Sequence, residues 1–142
     1  MTAQEIQLIR ISWEHAKKLG IKAGELFYQN LFEYAPSIRS LFKADITTQA
    51  VKLLSMLNVV VDHLDKLDVV AGDIVKLAQR HNGYGAKPEH YAAVGVSLIK
   101  TLEQGIGENW NSDTEAAWLK AYGILSGVMI EAQSQSQEEA RA

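Results

Sequence analysis

Apolar residues recur every three to four positions along most of this sequence, and only two prolines, Pro36 and Pro88, punctuate it. That spacing puts side chains on one face of a 3.6-residue helix, whereas a half-buried strand needs strict alternation, which the chain lacks. The expected fold class is therefore all-α. Helix starts are legible too. Thr2 with Glu5 and Ser112 with Glu115 have capping-box spacing, in which each side chain satisfies a free backbone N–H. Pro88 suits a first helical turn, where its missing N–H costs nothing. These signals predict helices over 3–19, 21–35, 47–65, 69–82, 88–105 and 113–133, with a short helical turn from Pro36 to Leu41. Residues 1–133 read as one domain, and the polar stretch 134–142 as a disordered tail with little to bury.

Composition narrows the function classes. A chain of 142 residues can bury a sizeable core as one domain. It is 22% charged with a net charge of −3 and has no basic cluster, so nucleic acid and anionic membrane surfaces are not expected partners. The absence of cysteine removes disulfides, thiolate catalysis, zinc–cysteine sites, iron–sulfur clusters and covalent C-x-x-C-H haem attachment. The N-terminal MTAQEIQLIRISW lacks the basic start and apolar run of a signal peptide, and no run approaches 18 apolar residues. A cytoplasmic location is the expectation.

Three polar residues fall on apolar stripes. The second helix turns Gly24, Phe27, Tyr28 and Leu31 to one side. The long third helix does the same with Leu53, Met56, Leu57 and Val60, and Gln49 falls one turn before Leu53. The next segment presents Val70, Ile74, Leu77, Ala78 and His81. Buried polar groups are costly without partners, so three of them on different helices suggest a shared ligand. Periodicity alone leaves the alternatives open. His81 also fits a core or rim histidine bonded to a carbonyl, Tyr28 a packed tyrosine, and Gln49 a solvated residue near a helix start. Two look-alikes are discarded. The Gly83-Tyr84-Gly85 run follows a predicted helix rather than a strand, so it is no dinucleotide fingerprint. Glu138-Glu139 lies in the polar tail and reads as solvated, not as a catalytic dyad.

Several segments resemble those of bacterial single-domain haemoglobins and the globin domain of flavohaemoglobins. They are FYQNLF at 27–32, PSIRSLF at 36–42, QAVKLL at 49–54, LAQRH at 77–81, KPEHYAAVG at 87–95 and WLKAYG at 118–123. The resemblance covers nearly the whole chain and implies a globin fold of six to eight helices around a haem b pocket. It implies that His81 binds the iron, that Phe42 stacks on the porphyrin, and that Tyr91 supports the proximal histidine. It also implies that Tyr28, Gln49 and Leu53 form the oxygen-side pocket. The carbonyl of Leu77, one turn before His81, is the expected acceptor for the second ring N–H of that histidine. Glycines 83 and 85 allow a tight turn after it. Bound dioxygen carries partial negative charge, and the Tyr28 hydroxyl and Gln49 amide can both donate to it. Each donor is worth about tenfold or more in affinity, so tight binding with slow release is expected.

The remaining histidines do not fit an iron site. His63 lies 14 residues beyond Gln49, nearly four turns away and out of reach, and His15 and His90 read as surface residues. Lys52 and Arg80 are candidates for the haem propionates, with a solvated face as the alternative. Alignment on AYG at 121–123 puts Gln133 where flavohaemoglobins carry a glutamate beside the proximal tyrosine. Glu131, the nearest carboxylate, falls on another face. A neutral amide polarises the Tyr91–His81 pair less, which weakens the case for O–O bond activation.

The implied function is reversible binding of oxygen, with CO and NO as further diatomic ligands, serving oxygen storage or delivery or NO detoxification. Nitric oxide dioxygenase turnover would need a separate reductase, because 142 residues leave no room for flavin and nicotinamide domains. Two alternatives stand beside this: a haem-based gas sensor acting through a partner protein, and a haem-free globin-fold interaction module.

Overall fold

A computed structural model describes residues 1–41, 45–66 and 88–141, with only the backbone described at 41, 88, 89 and 128–141. Among the described residues there are five α-helices: α1 (Ala3–Lys17), α2 (Ile21–Tyr34), α3 (Ile46–Asp62), α4 (Pro88–Ile106) and α5 (Ser112–Arg141). Three short 3₁₀ turns, Pro36–Leu41, Leu64–Lys66 and Gly107–Asn109, follow α2, α3 and α4, and there is no strand among the described residues. The helix expected over 69–82 lies outside them.

Local chemistry sets the helix ends. Thr2 and Glu5 form the expected capping box, Glu5 N donating to Thr2 Oγ1 (3.1 Å) and Thr2 N to Glu5 Oε1 (2.8 Å). Those bonds, with Lys120 alongside, lower the Glu5 carboxyl to about 2. The start of α5 differs from expectation. Asn111, not Ser112, supplies the cap, its Oδ1 accepting from Thr114 N at 2.9 Å. Asparagine serves as well as serine in this role, and the Ser112–Glu115 spacing concealed it. α1 ends at Lys17, two residues short of expectation, because the chain turns through Gly20 at φ 59°, a conformation that glycine adopts at no steric cost. α3 likewise stops at Asp62 and hands over to the 3₁₀ turn at Leu64–Lys66. Arg10 of α1 holds that corner, its guanidinium donating to the carbonyls of Val61 and Asp62 and to Asp65.

α2 sits between α3 and α4, while α1 crosses α5 and also touches α3 and α4. The core lies where these helices meet, around Ile9, Leu31, Trp118 and Ala50. Two tryptophans fasten α1 into it. Trp13 donates to Asn58 Oδ1 of α3 at 2.7 Å, and Trp118 of α5 donates to the buried Ser12 hydroxyl at 2.8 Å. At the end of α2, Arg39 lies 5.0 Å over the Phe32 ring, drawing the 3₁₀ turn at Pro36–Leu41 back onto the helix. The backbone of α5 stays helical through 134–141, the stretch read from composition as a tail.

Candidate functional site

The helix crossing of α2 over α3 defines the site. At Gly24 a Cβ would lie 2.7 Å from Ala50 Cβ and 3.0 Å from its Cα, so only glycine lets the two backbones approach this closely. One turn beyond Gly24 stands Tyr28. On α3, Gln49 precedes Ala50 and Leu53 follows it by three residues. All three residues singled out for the oxygen side therefore flank one close contact.

Tyr28 is 6% exposed, with Phe27 edge-on at 5.0 Å and Phe32 tilted at 5.9 Å. Burial pushes its hydroxyl up to about 12, so it remains a proton-bearing donor throughout the neutral range. Gln49 is half-buried, its backbone N–H held by the Asp45 carbonyl (3.0 Å) in the first turn of α3. Leu53 is half-buried against the core. Tyr28 thus brings a neutral phenol to the α2 side of the crossing, and Gln49 an amide to the α3 side. Among the described residues no group of three His, Cys, Asp or Glu side chains converges to hold a metal.

Tyr91, on the first turns of α4, is 7% exposed, and burial raises its hydroxyl above the usual tyrosine value. Its carbonyl accepts from the Tyr122 hydroxyl of α5 at 2.6 Å. Burial and the neighbouring Tyr91 push the Tyr122 hydroxyl up as well. Sequence reading missed Tyr122, although Gly95 signals it, since a Cβ there would meet the Tyr122 ring at 3.2 Å. It also missed the buried cluster in which Asn30 donates to Thr101 Oγ1 and Gln104 Oε1, both at 3.0 Å. The signal was available, because Ala23, Phe27 and Asn30 share a helical face.

His81, Phe42, Leu77 and Arg80 lie outside the described residues, as do the side chains of Gln133 and Glu131. His63 caps α3, its Nδ1 donating to the Val59 carbonyl at 2.8 Å. His15 and His90 are half-buried rather than fully exposed, and Lys52 is exposed.

The raised tyrosines give a pH prediction. A folded-state value above the unfolded value of 10 means that above pH 10 the unfolded chain releases protons that the folded one keeps. Stability is then flat in this respect below pH 10 and falls as pH rises toward 12. Thermal melts between pH 9 and 11.5 should show that fall, and Tyr28→Phe should shallow it. A fall of equal slope in the variant would show that Tyr28 is not one of its sources.

Three comparisons bear on the chain as a whole. A family model described as Globin matches residues 25–129. Neuroglobin-1 of Oncorhynchus mykiss is 27% identical over 91% of the chain and 90% of its own length. A flavohemoprotein of Vibrio cholerae is 26% identical over 92% of the chain, which spans about a third of that protein, 34% of its length. Among solved structures, an engineered carbene transferase from Rhodothermus marinus superposes with a TM-score of 0.91 at 24% identity, covering 100% of this chain and 99% of that one. A bacterial globin from Campylobacter jejuni gives 0.84, also at 24%, covering 96% and 99%. No described helix is long and apolar enough to cross a membrane.

Proposed function

The chain belongs to the globin family, and from that premise we propose that it binds haem b and reversibly takes up oxygen on the side lined by Tyr28, Gln49 and Leu53. The observation that supports this most is the buried, protonated phenol of Tyr28 beside the Gly24–Ala50 crossing. A neutral donor among apolar neighbours suits a partly charged diatomic ligand, which an ionised group would not. In this reading His81 is the metal ligand, Leu77 orients its ring, Phe42 packs on the porphyrin and Tyr91 supports the proximal side. Haem supplies the iron to which a diatomic gas binds. The protein's own share is to exclude water with Leu53 and Phe27, to donate from Tyr28 and Gln49, and to hold both donors at one fixed crossing. CO and NO fit the same pocket. The physiological task is oxygen storage or delivery, or conversion of NO to nitrate with electrons from a separate reductase, within a haem domain spanning 1–133.

Optical absorption of the purified protein, before and after reduction under carbon monoxide, tests the reading. A Soret band that shifts sharply with CO is the expected result. No Soret band, even after hemin is added, would overturn it and leave a haem-free interaction module.

A further inference from the structure

Two faces of α2 are pinned to its neighbours. On one, Gly24 lies against Ala50 of α3, where a Cβ would stand 2.7 Å from Ala50 Cβ. On another, Asn30 is 4% exposed, and its Nδ2 donates to Thr101 Oγ1 and Gln104 Oε1 of α4, both at 3.0 Å. Tyr28 stands between these two points in the sequence. Asn30, two residues further on, lies about 200° around the helix from it, so the amide meets α4 on the side of α2 turned away from the phenol.

The acceptors leave that amide one orientation. Thr101 gives its only hydroxyl proton to the Ser97 carbonyl at 2.7 Å, so toward Asn30 it can only accept. Gln104 presents its side-chain carbonyl oxygen. Ser97 in turn donates to the Ala93 carbonyl at 2.8 Å, which continues the polar line along the same face of α4. Apolar contacts are non-directional and let packed helices turn against one another. A matched hydrogen-bond network has angular requirements and selects one arrangement. A turn of about 10° about the axis of α2 would move the end of a long side chain by roughly 1 Å, the scale on which a hydrogen bond is made or lost.

We propose that Asn30 is a positioning residue for the oxygen side: through Thr101 and Gln104 it fixes the rotation of α2 about its own axis, and with it the place of the Tyr28 hydroxyl, without touching the bound gas. Gly24 sets how near α2 comes to α3, and Asn30 sets which way round it faces. The role toward a gas rests on the haem reading above, but the fixed rotation does not.

Oxygen dissociation and a proton measurement that needs no haem test this together. Asn30→Leu has the same branched shape and strands no buried partner, because Thr101 still donates to Ser97 and Gln104 is exposed to water. It should release oxygen about fivefold faster than the parent, and in a Tyr28→Phe background it should add nothing. Thr101→Val should quicken release in the same way, whereas Thr101→Ser, which keeps the accepting oxygen, should keep the parent rate. The nuclear Overhauser effect between the Gly24 α-proton that faces Ala50 and the Ala50 methyl group reads the rotation of α2 itself. It should weaken in Asn30→Leu and hold in Thr101→Ser. Thermal melts identify a variant that fails to fold, and Thr101→Val decides the matter if Asn30→Leu is that variant.

Parent-like release from Asn30→Leu, with faster release from Tyr28→Phe, overturns the proposal and leaves the haem reading standing. Equal quickening by Asn30→Leu with and without the Tyr28 hydroxyl overturns it too, since Asn30 would then act by a route other than Tyr28. Unchanged release from Tyr28→Phe sinks the donor role of Tyr28 and the positioning role with it. A parent protein without a Soret band sinks the haem reading; a weakened Gly24–Ala50 signal in Asn30→Leu then still supports the fixed rotation, and an undiminished one overturns it.

Discussion

Oxygen should leave the Tyr28→Phe, Gln49→Leu double variant about a hundredfold faster than the parent, with little change in the rate at which it enters. On the proposed reading each substitution removes one neutral donor to the bound gas, and a hydrogen bond to a partly charged acceptor contributes roughly 1.5–3 kcal/mol. Donors that act on the bound ligand slow its departure and leave the approach of a free, uncharged gas nearly unaffected. The two single variants need not sum to the double, because both donors would share one acceptor. Tyr28→Phe alone should show the larger effect. Its ring is buried between Phe27 and Phe32, which fixes the hydroxyl in place, whereas half-buried Gln49 must give up side-chain freedom to donate. Stopped-flow oxygen displacement by CO measures this directly. Unchanged dissociation in the double variant would mean that neither group reaches the ligand.

How far this was legible in the sequence depends on the kind of signal. The stripe of Gly24, Phe27, Tyr28 and Leu31 is one-dimensional information, and all four residues are buried. So is the capping box at Thr2, because its partners are three residues apart. The stripe on α3 was only partly legible: Leu57 and Val60 are buried, but Leu53, Met56 and Gln49 are half-buried. Periodicity gives direction but not depth, and depth depends on what packs opposite. Contacts such as Trp118 with Ser12, 106 residues apart, leave no trace in local spacing. The same holds for Tyr122 with the carbonyl of Tyr91. Asn111 was hidden for another reason: two capping residues stood side by side, and the one with the better sequence pattern was not the one used. The proximal half of the expected site, His81, Leu77 and Phe42, lies outside the described residues and rests on the resemblance, with the apolar stripe from Val70 to His81 as its one local signal.

Gly24→Val tests whether the α2–α3 crossing is what unites structure and function here. On intrinsic helix preference a glycine replaced inside a helix should gain stability, by up to about 1 kcal/mol for alanine. At this position the gain is overwhelmed. The new Cβ would meet Ala50 Cβ at 2.7 Å, Cα at 3.0 Å and the carbonyl oxygen at 3.1 Å, and the last two belong to a backbone that cannot rotate away. The helices must part, and valine adds two methyls to the collision. Overpacking of this kind costs about 3 kcal/mol, or roughly 10 °C in melting temperature for a domain of this size. Gly123→Ala is the internal control, since a Cβ there meets nothing within 4 Å, and it should be neutral or slightly stabilising. If Gly24→Val melts no lower than the parent, the tight crossing is not a constraint. If it melts lower and also releases oxygen faster at a temperature where it remains folded, the separation has carried Tyr28 away from Gln49, which ties the ligand affinity to the one glycine that holds the two helices together.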